Sequence, residues 1–434
     1  MSEWKQTEIG LMPTNWQEYT IDDLIENIID NRGKTPPPAT NGYKLLETYQ
    51  VSVDKIFPMY DDTQQKYVSE ATYKTWFRSG HPQQDDILFT TVGEKVPQFC
   101  LVDKTLICIA QNLIALRVNK KIVNPLYLLN YFRQEKFIKQ VKNILLTTAQ
   151  PSVKVPHLLA LRIYLPSTDY QDKISHLLSC LDNKIDNLRR QNETLEEIAQ
   201  TLFKHWFIDF EFPNDDGKPY KSSGGAMVAS ELGDIPAGWR VGKLEELIIV
   251  NPRESIKTGA IVKYVDMRAL STSSMEITDY VTREFTSGSK FKNQDTLLAR
   301  ITPCLENGKT AFVSILDDGE VAFGSTEFIV LRAKENCCPE YIYPLARSPY
   351  FRDFAVKNMT GSSGRQRIPN DVIANYKLAI PDIQTIKNYQ KICRPLFLKT
   401  SSNQKQIQIL TKTRDALLPK LMSGELRVKD SITL

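Results

Sequence analysis

Two halves of this chain run through the same order of segments. Ile9-Gly10-Leu11-Met12-Pro13-Thr14-Asn15-Trp16 returns as Leu232-Gly233-Asp234-Ile235-Pro236-Ala237-Gly238-Trp239. Ile21-Asp22-Asp23-Leu24-Ile25 returns as Leu244-Glu245-Glu246-Leu247-Ile248. Asp86-Ile87-Leu88-Phe89-Thr90-Thr91 matches Asp295-Thr296-Leu297-Leu298-Ala299-Arg300, and Asn112-Leu113-Ile114-Ala115-Leu116-Arg117 matches Glu327-Phe328-Ile329-Val330-Leu331-Arg332. Both pairs read as strands opening after a polar turn. A helical stretch follows near Pro125 and near Pro339, a strand ends at Leu165-Pro166 and at Ile380-Pro381, and a long polar helix pattern closes each half. The spacing is far longer than any solenoid period. The chain is therefore expected to build one mixed α/β domain and one long helix, twice. Pro344 is expected to split the second-half helix, where Asn130 stands in the first. The Gly/Ser/Asp-rich run from Asn214 to Gly225 reads as a flexible linker.

The long helices carry a heptad pattern. Ile174, Leu178, Leu181, Ile185, Leu188, Asn192, Leu195, Ala199, Leu202 and Trp206 step by four and three, with one polar residue in the seam. The second half gives Ile386, Tyr389, Cys393, Leu396, Thr400, Asn403, Ile407, Leu410, Arg414, Leu417 and Leu421, with a regular part expected to start near Pro395. A stripe about 50 Å long cannot be hidden by one helix, and its repeat mate is the expected antiparallel partner. Charge agrees. Residues 170–212 carry five Lys/Arg against eight Asp/Glu, and residues 384–429 carry ten against two, so facing helices attract.

The whole chain is nearly balanced, with Lys+Arg 55, Asp+Glu 51 and a net charge of +4. This excludes a histone-like basic tail, and any anionic partner must be met by local patches. The start has no basic n-region or apolar h-region, no apolar run approaches a membrane span, and a soluble protein is expected. Seven cysteines (Cys100, Cys108, Cys180, Cys304, Cys337, Cys338, Cys393) form no C-x-x-C pair, and four histidines form no H-x-x-x-H pattern. They read as reduced, mostly buried thiols, and no metal site is expected.

Catalytic patterns are missing too. Gly33-Lys34-Thr35 and Gly308-Lys309-Thr310 resemble the end of a P-loop, but the required upstream glycine is Ile28 in one case and Pro303 in the other. Asn251-Pro252-Arg253 lacks the second proline and aromatic of a base methyltransferase motif, and Pro381-Asp382 has no Glu-x-Lys for a nuclease. No catalytic residue is predicted in this chain.

What remains is a set of polar loops at equivalent places in both halves. In the first they supply Arg32, Lys34, Thr35, Thr90, Thr91, Lys95, Gln111, Asn112, Gln150, Ser152 and Lys154. In the second they supply Arg300, Thr302, Asn307, Lys309, Ser362, Ser363, Arg365, Gln366 and Arg367. Gly, Ser, Thr, Gln and Arg suit a loop that approaches a phosphate backbone and offers hydrogen bonds to base edges, Arg favouring guanine and Gln adenine. The segment Gly361 to Arg367 is the strongest case, and Pro151 and Lys154 are taken as the counterparts of Gly364 and Arg367.

At this point the chain resembles the specificity subunit of a Type I restriction–modification system. The resemblance spans nearly its whole length. It rests on the opening motif Leu232 to Trp239, the helix ending Leu202-Phe203-Lys204-His205-Trp206-Phe207-Ile208-Asp209-Phe210, the run Leu417-Leu418-Pro419-Lys420-Leu421-Met422-Ser423-Gly424-Glu425-Leu426, and the loop Gly361 to Ile368. It implies an α+β fold: two pseudo-symmetric mixed α/β target-recognition domains separated by two long antiparallel coiled-coil helices. The expected division is 1–168 for the first domain, 169–212 for the first spacer helix, 213–231 for a linker, 232–382 for the second domain, and 383–434 for the second helix and tail. Ile185, Leu188, Asn192, Leu195, Leu202, Trp206, Ile407, Leu410, Leu417 and Leu421 are expected at the helix seam.

The resemblance further implies a non-catalytic, cytoplasmic subunit that reads a split target on double-stranded DNA, one domain per half-site. Two copies of a modification (methyltransferase) subunit would dock on its helices, and a restriction (endonuclease) subunit could join them. S-adenosylmethionine, ATP and Mg would sit in those partners, with no cofactor in this chain and no membrane contact. The rival readings are a coiled-coil scaffold or adaptor that never touches DNA, and an enzyme whose site is assembled across the repeat.

Overall fold

The computed structural model describes residues 4–7, 10–60, 64–103, 106–146 and 150–428. It divides into two compact units, one of residues 1–185 with 409–434 and one of residues 186–408.

In the first unit a four-stranded antiparallel sheet runs in the order Ile25–Ile29, Leu113–Val118, Ile87–Thr90, Phe99–Leu101. In the second, the same sheet runs Ile248–Val250, Phe328–Ala333, Thr296–Ala299, Thr310–Phe312. The strands matched in sequence therefore occupy matched places. Their largely apolar character has a simple cause: both faces are covered. Ile87, Phe89, Ile114 and Leu116 pack with the helices Pro125–Phe132 and Glu135–Asn143, while Leu88, Leu113 and Ala115 turn to a second layer with Leu46 and Ile109. The second unit repeats this alternation, with Leu298, Ile329 and Leu331 on the helix side and Leu297, Phe328 and Val330 on the other.

That second layer holds a parallel pair in each unit, Tyr43–Leu46 with Ile107–Ile109 and Ile261–Val265 with Ala322–Gly324. It has three strands in the first unit and four in the second. Each unit also pairs an early strand with its last one, Gln17–Thr20 with Arg162–Leu165 and Arg240–Lys243 with Lys377–Ile380.

Each half pins a charge in the same way. Arg117 donates from Nε and Nη2 to the buried Asp86 at 3.1 and 2.8 Å, and Arg332 does so to the buried Asp295 at 2.7 and 2.7 Å. A fork of two N–H groups on one carboxylate needs a planar guanidinium. These four residues hold corresponding positions in the duplication.

The two long helices are Thr168–Phe207 and Ile383–Met422. They pack antiparallel. In the first unit Ile174 and Leu178 share a core with Leu421 and Met422, while Asp182 takes Arg414 Nη1 at 2.8 Å. In the second, Asn192 meets Asn403, and the hydroxyl of Tyr389 donates to the carbonyl of Ala199 at 3.3 Å. Phe203, Trp206 and Phe207 pack edge-on against Tyr389 at centroid distances of 6.5, 5.7 and 4.9 Å. Such pairs add about 0.5–1.5 kcal/mol each beyond the area they bury.

Three sequence expectations are corrected. Pro344 does not split its helix, which runs Pro339–Arg347. The ring cannot donate to the Glu340 carbonyl four residues back, and that oxygen instead shares the single proton of the Tyr389 hydroxyl, 3.4 Å away, with the Ala199 carbonyl. The break falls at Ser348, whose hydroxyl accepts from Phe351 N as the N-cap of Pro349–Lys357. The first half is broken as well, between Phe132 and Glu135. Pro395 likewise starts nothing: the helix begins at Ile383 and continues through it, held by the buried Tyr389, Cys393 and Phe397.

The run 214–225 is a hydrogen-bonded loop rather than a loose tether. Asn214 N donates to Lys218 O and Tyr220 N to Phe212 O, both at 2.9 Å. The Tyr220 ring stacks on Phe212, which stacks on Trp239. Gly225 passes so close to Tyr220 that a Cβ there would lie 2.5 Å from the ring.

Candidate nucleic-acid interface

Three of the polar loops of the first unit converge through their backbones. Thr91 N donates to Asn112 O at 2.8 Å, Val153 N to Thr91 O at 2.8 Å, Gly93 N to Pro151 O at 3.1 Å, and Leu146 N to Ser152 O at 2.9 Å. The second unit repeats each bond. Arg300 N donates to Glu327 O, Ile368 N to Arg300 O and Thr302 N to Gln366 O, all at 3.0 Å, and Thr360 N to Arg367 O at 2.9 Å. A buried loop must find partners for its amides, and here each half solves the problem identically.

This framework corrects the loop alignment. Leu146 and Ser152 form the bridge that Thr360 and Arg367 form in the second unit. Ser152, not Lys154, is thus the counterpart of Arg367, and Pro151 that of Gln366. Lys154 corresponds to Pro369, each being the N-cap of a short helix. Six residues separate Thr360 from Arg367 and five separate Leu146 from Ser152, so the second loop is one longer. Residues 147–149 lie outside the described residues.

The candidate side chains divide sharply. Thr90 and Thr91, expected to contact DNA, are buried, and Thr90 Oγ1 accepts from Gln98 N at 2.8 Å. They continue the strand into the core, so neither can reach a phosphate. Arg32 is forked on Asp30 at 2.9 and 2.6 Å. Its loop is tied to segment 78–81, Asn31 Nδ2 donating to Gly80 O at 2.9 Å and Asn31 Oδ1 accepting from Ser79 N at 3.0 Å. Arg300 donates to Ile368 O at 3.0 Å, Lys309 to Met267 O at 2.9 Å, and Thr302 Oγ1 to Gln366 O at 3.1 Å.

Lys34, Thr35, Lys95, Gln111, Gln150 and Lys154 are exposed in the first unit, and Asn307, Ser362, Ser363 and Arg365 in the second. Asn112, Ser152 and Gln366 are half-buried at the rim. Arg367 is exposed, yet its Nε and Nη2 reach Glu327 Oε1 at 3.0 and 2.6 Å. Among the seam residues, Ile185, Leu188, Asn192, Trp206, Ile407 and Leu421 are buried and Leu195, Leu202, Leu410 and Leu417 are half-buried.

Two acidic groups escaped the sequence reading. Glu196, on the inner face of the first long helix, accepts from Tyr343 Oη at 2.5 Å and Met275 N at 2.6 Å. Glu276 accepts from Asn192 Nδ2 and, with the Gln404 amide turned toward it, from Gln404 Nε2 at 2.6 Å. Burial pushes its carboxyl up to about 7. Glu276 sits in a loop between the buried Met275 and Ile277, and nothing in that local pattern signals a contact with a helix residue 84 positions earlier.

Four thiols are shifted away from the reactive thiolate form. Burial pushes the Cys108 and Cys337 thiols up to about 12 and lifts Cys100 and Cys338 further. A thiol needs the opposite shift to become a thiolate. Among the described residues no group of three His, Cys, Asp or Glu could hold a metal ion, and no helix is long and apolar enough to cross a membrane.

Residues 13–197 match the family model described as Type I restriction modification DNA specificity domain. The chain is similar to the specificity subunits of Type I restriction–modification systems. Over 99% of its length it is 28% identical to the Type I restriction enzyme MjaIX specificity subunit of Methanocaldococcus jannaschii, covering 98% of that protein. The Type I restriction enzyme HindI specificity subunit of Haemophilus influenzae is 21% identical over 95% of this chain and 100% of its own. A crystal structure of the Type I restriction–modification S subunit from M. genitalium superposes with a TM-score of 0.53 at 14% identity, covering 94% of this chain and 96% of that one. The specificity-subunit fold is thus shared where little of the sequence is.

Proposed function

We propose that this specificity subunit reads a two-part sequence on double-stranded DNA, one unit per half-site, and leaves all bond-making to partner subunits. The observation that carries the reading is the loop framework. Four backbone hydrogen bonds recur in both units, while the side chains they present differ: Gln150, Ser152 and Lys95 in one, Arg365, Ser362 and Ser363 in the other. A constant frame with variable polar tips is what a reader of two different half-sites requires, since backbone geometry sets the approach and side chains set the base.

The near-neutral charge of the chain fits a complex in which partners supply part of the phosphate clamp. In this reading the partners are a modification subunit, in two copies, that methylates adenine from S-adenosylmethionine, and a restriction subunit where cleavage with ATP and Mg is present. The complex acts in the cytoplasm, and the exposed faces of the long helices receive the partners.

Mapping methylated adenines in DNA from cells that carry this chain with its modification subunit tests the proposal. Two short constant motifs separated by a fixed gap are expected. Methylation without any constant motif, or unchanged in cells lacking this chain, would leave only the scaffold reading.

A further inference from the structure

We propose that Arg365 alone of the two loop arginines reads a base, a guanine in the major groove, and that Glu327 and Arg367 form a positioning pair that holds it. This rests on the DNA-reading function above.

The loop is closed at its base by Thr360 and Arg367, whose backbones exchange hydrogen bonds of 2.9 and 2.8 Å. At its tip Arg365 N donates to Ser362 O at 3.0 Å, with Gly364 at φ +75°. A positive φ at the third position of such a turn is the place where glycine costs least. Arg365 therefore follows a tight, defined turn.

The two arginines then differ completely. Arg367 uses three nitrogens within the protein: Nε and Nη2 grip Glu327, and Nη1 donates to the carbonyl of Arg365 at 3.2 Å. Glu327 is fixed in turn, because its carbonyl accepts from Arg300 N at 3.0 Å within the loop framework. A continuous line of bonds thus runs from the framework through Glu327 and Arg367 to the backbone of Arg365. Arg365 itself is exposed, and its side chain has no hydrogen bond or ion pair with the described residues. An unpaired guanidinium on a braced turn offers two parallel donors, the match for guanine O6 and N7. A guanidinium already forked on a carboxylate does not.

The test uses the assembled methyltransferase containing the full chain, with base preference measured at every position of the motif. Arg365→Ala is expected to lower discrimination about ten- to hundredfold at one G·C pair of one half-motif. Arg367→Ala and Glu327→Gln should weaken discrimination at that same pair. The double variant Arg365→Ala/Arg367→Ala should be no worse than Arg365→Ala, because Arg367 acts through Arg365. A thermal midpoint near that of the unaltered chain would separate positioning from misfolding. Discrimination lost at a different base pair in Arg367→Ala, or multiplied losses in the double variant, would overturn the assignment, as would a motif untouched by Arg365→Ala. An unaltered complex with no sequence preference would instead overturn the DNA-reading function beneath it.

Discussion

Asn403 donates from Nδ2 to Oδ1 of Asn192 at 2.8 Å across the paired long helices, with both side chains buried. A polar pair in an apolar seam has one arrangement that satisfies it, and sliding one helix along the other would break it. Asn192→Leu should cost about 1–3 kcal/mol, because Asn403 and Glu276 each lose a buried partner. The double variant Asn192→Leu/Asn403→Leu should recover part of that loss by apolar packing while losing the fixed register. Urea denaturation of the three proteins checks this, and a single variant no worse than the double would speak against the pairing as a register device.

Glu276 gives the protein a pH dependence with a definite sign. Its carboxyl is pushed up from 4.5 to about 7, chiefly by burial and then by the nearby Glu196, against the hydrogen bond from Asn192. The folded state therefore holds a proton that the unfolded state releases first. Stability should fall as pH rises between these two values and level off above the higher one. Glu276→Gln removes the penalty, with a gain on the order of 2–3 kcal/mol at about pH 8 and almost none near pH 4.5. Denaturation midpoints across that range should converge at the acid end, whereas parallel curves would contradict this role.

The Arg332–Asp295 fork is expected to matter far more for stability than the exposed ion pairs. Asp295 is 1% exposed, and removing its partner leaves a buried charge unpaired. Arg332→Ala should cost about 3–5 kcal/mol. Arg332→Lys should not restore it, since an ammonium cannot make both bonds. Thermal unfolding of the full chain is the check, and a lysine variant as stable as the parent would show that the fork is dispensable.

The duplication is legible because each matched strand is a mostly apolar run, interrupted at the same place in one pair by Arg117 and Arg332. The long helices were legible from their seams. Details failed where one residue's partner lies far away in the chain. Pro344 reads as a break because nothing local reveals that Tyr389 takes over its orphaned carbonyl. Thr90 and Thr91 read as surface contacts because polarity was taken for exposure, although the Thr90 hydroxyl is satisfied by Gln98. Arg367 and Arg365 looked equivalent two residues apart, and only the bonds to Glu327 separate them. Residue types alone place Lys154 opposite Arg367, two positions from Ser152, because only the backbone bridges fix the register of the loop.

The central claim is that each unit reads its own half of one split sequence. Replacing residues 232–382 with the corresponding domain of another specificity subunit, then mapping methylated adenines made by the full complex, tests it most directly. One half of the motif should change while the other half stays as it was. Simultaneous change of both halves, or a motif that does not change at all, would contradict the account.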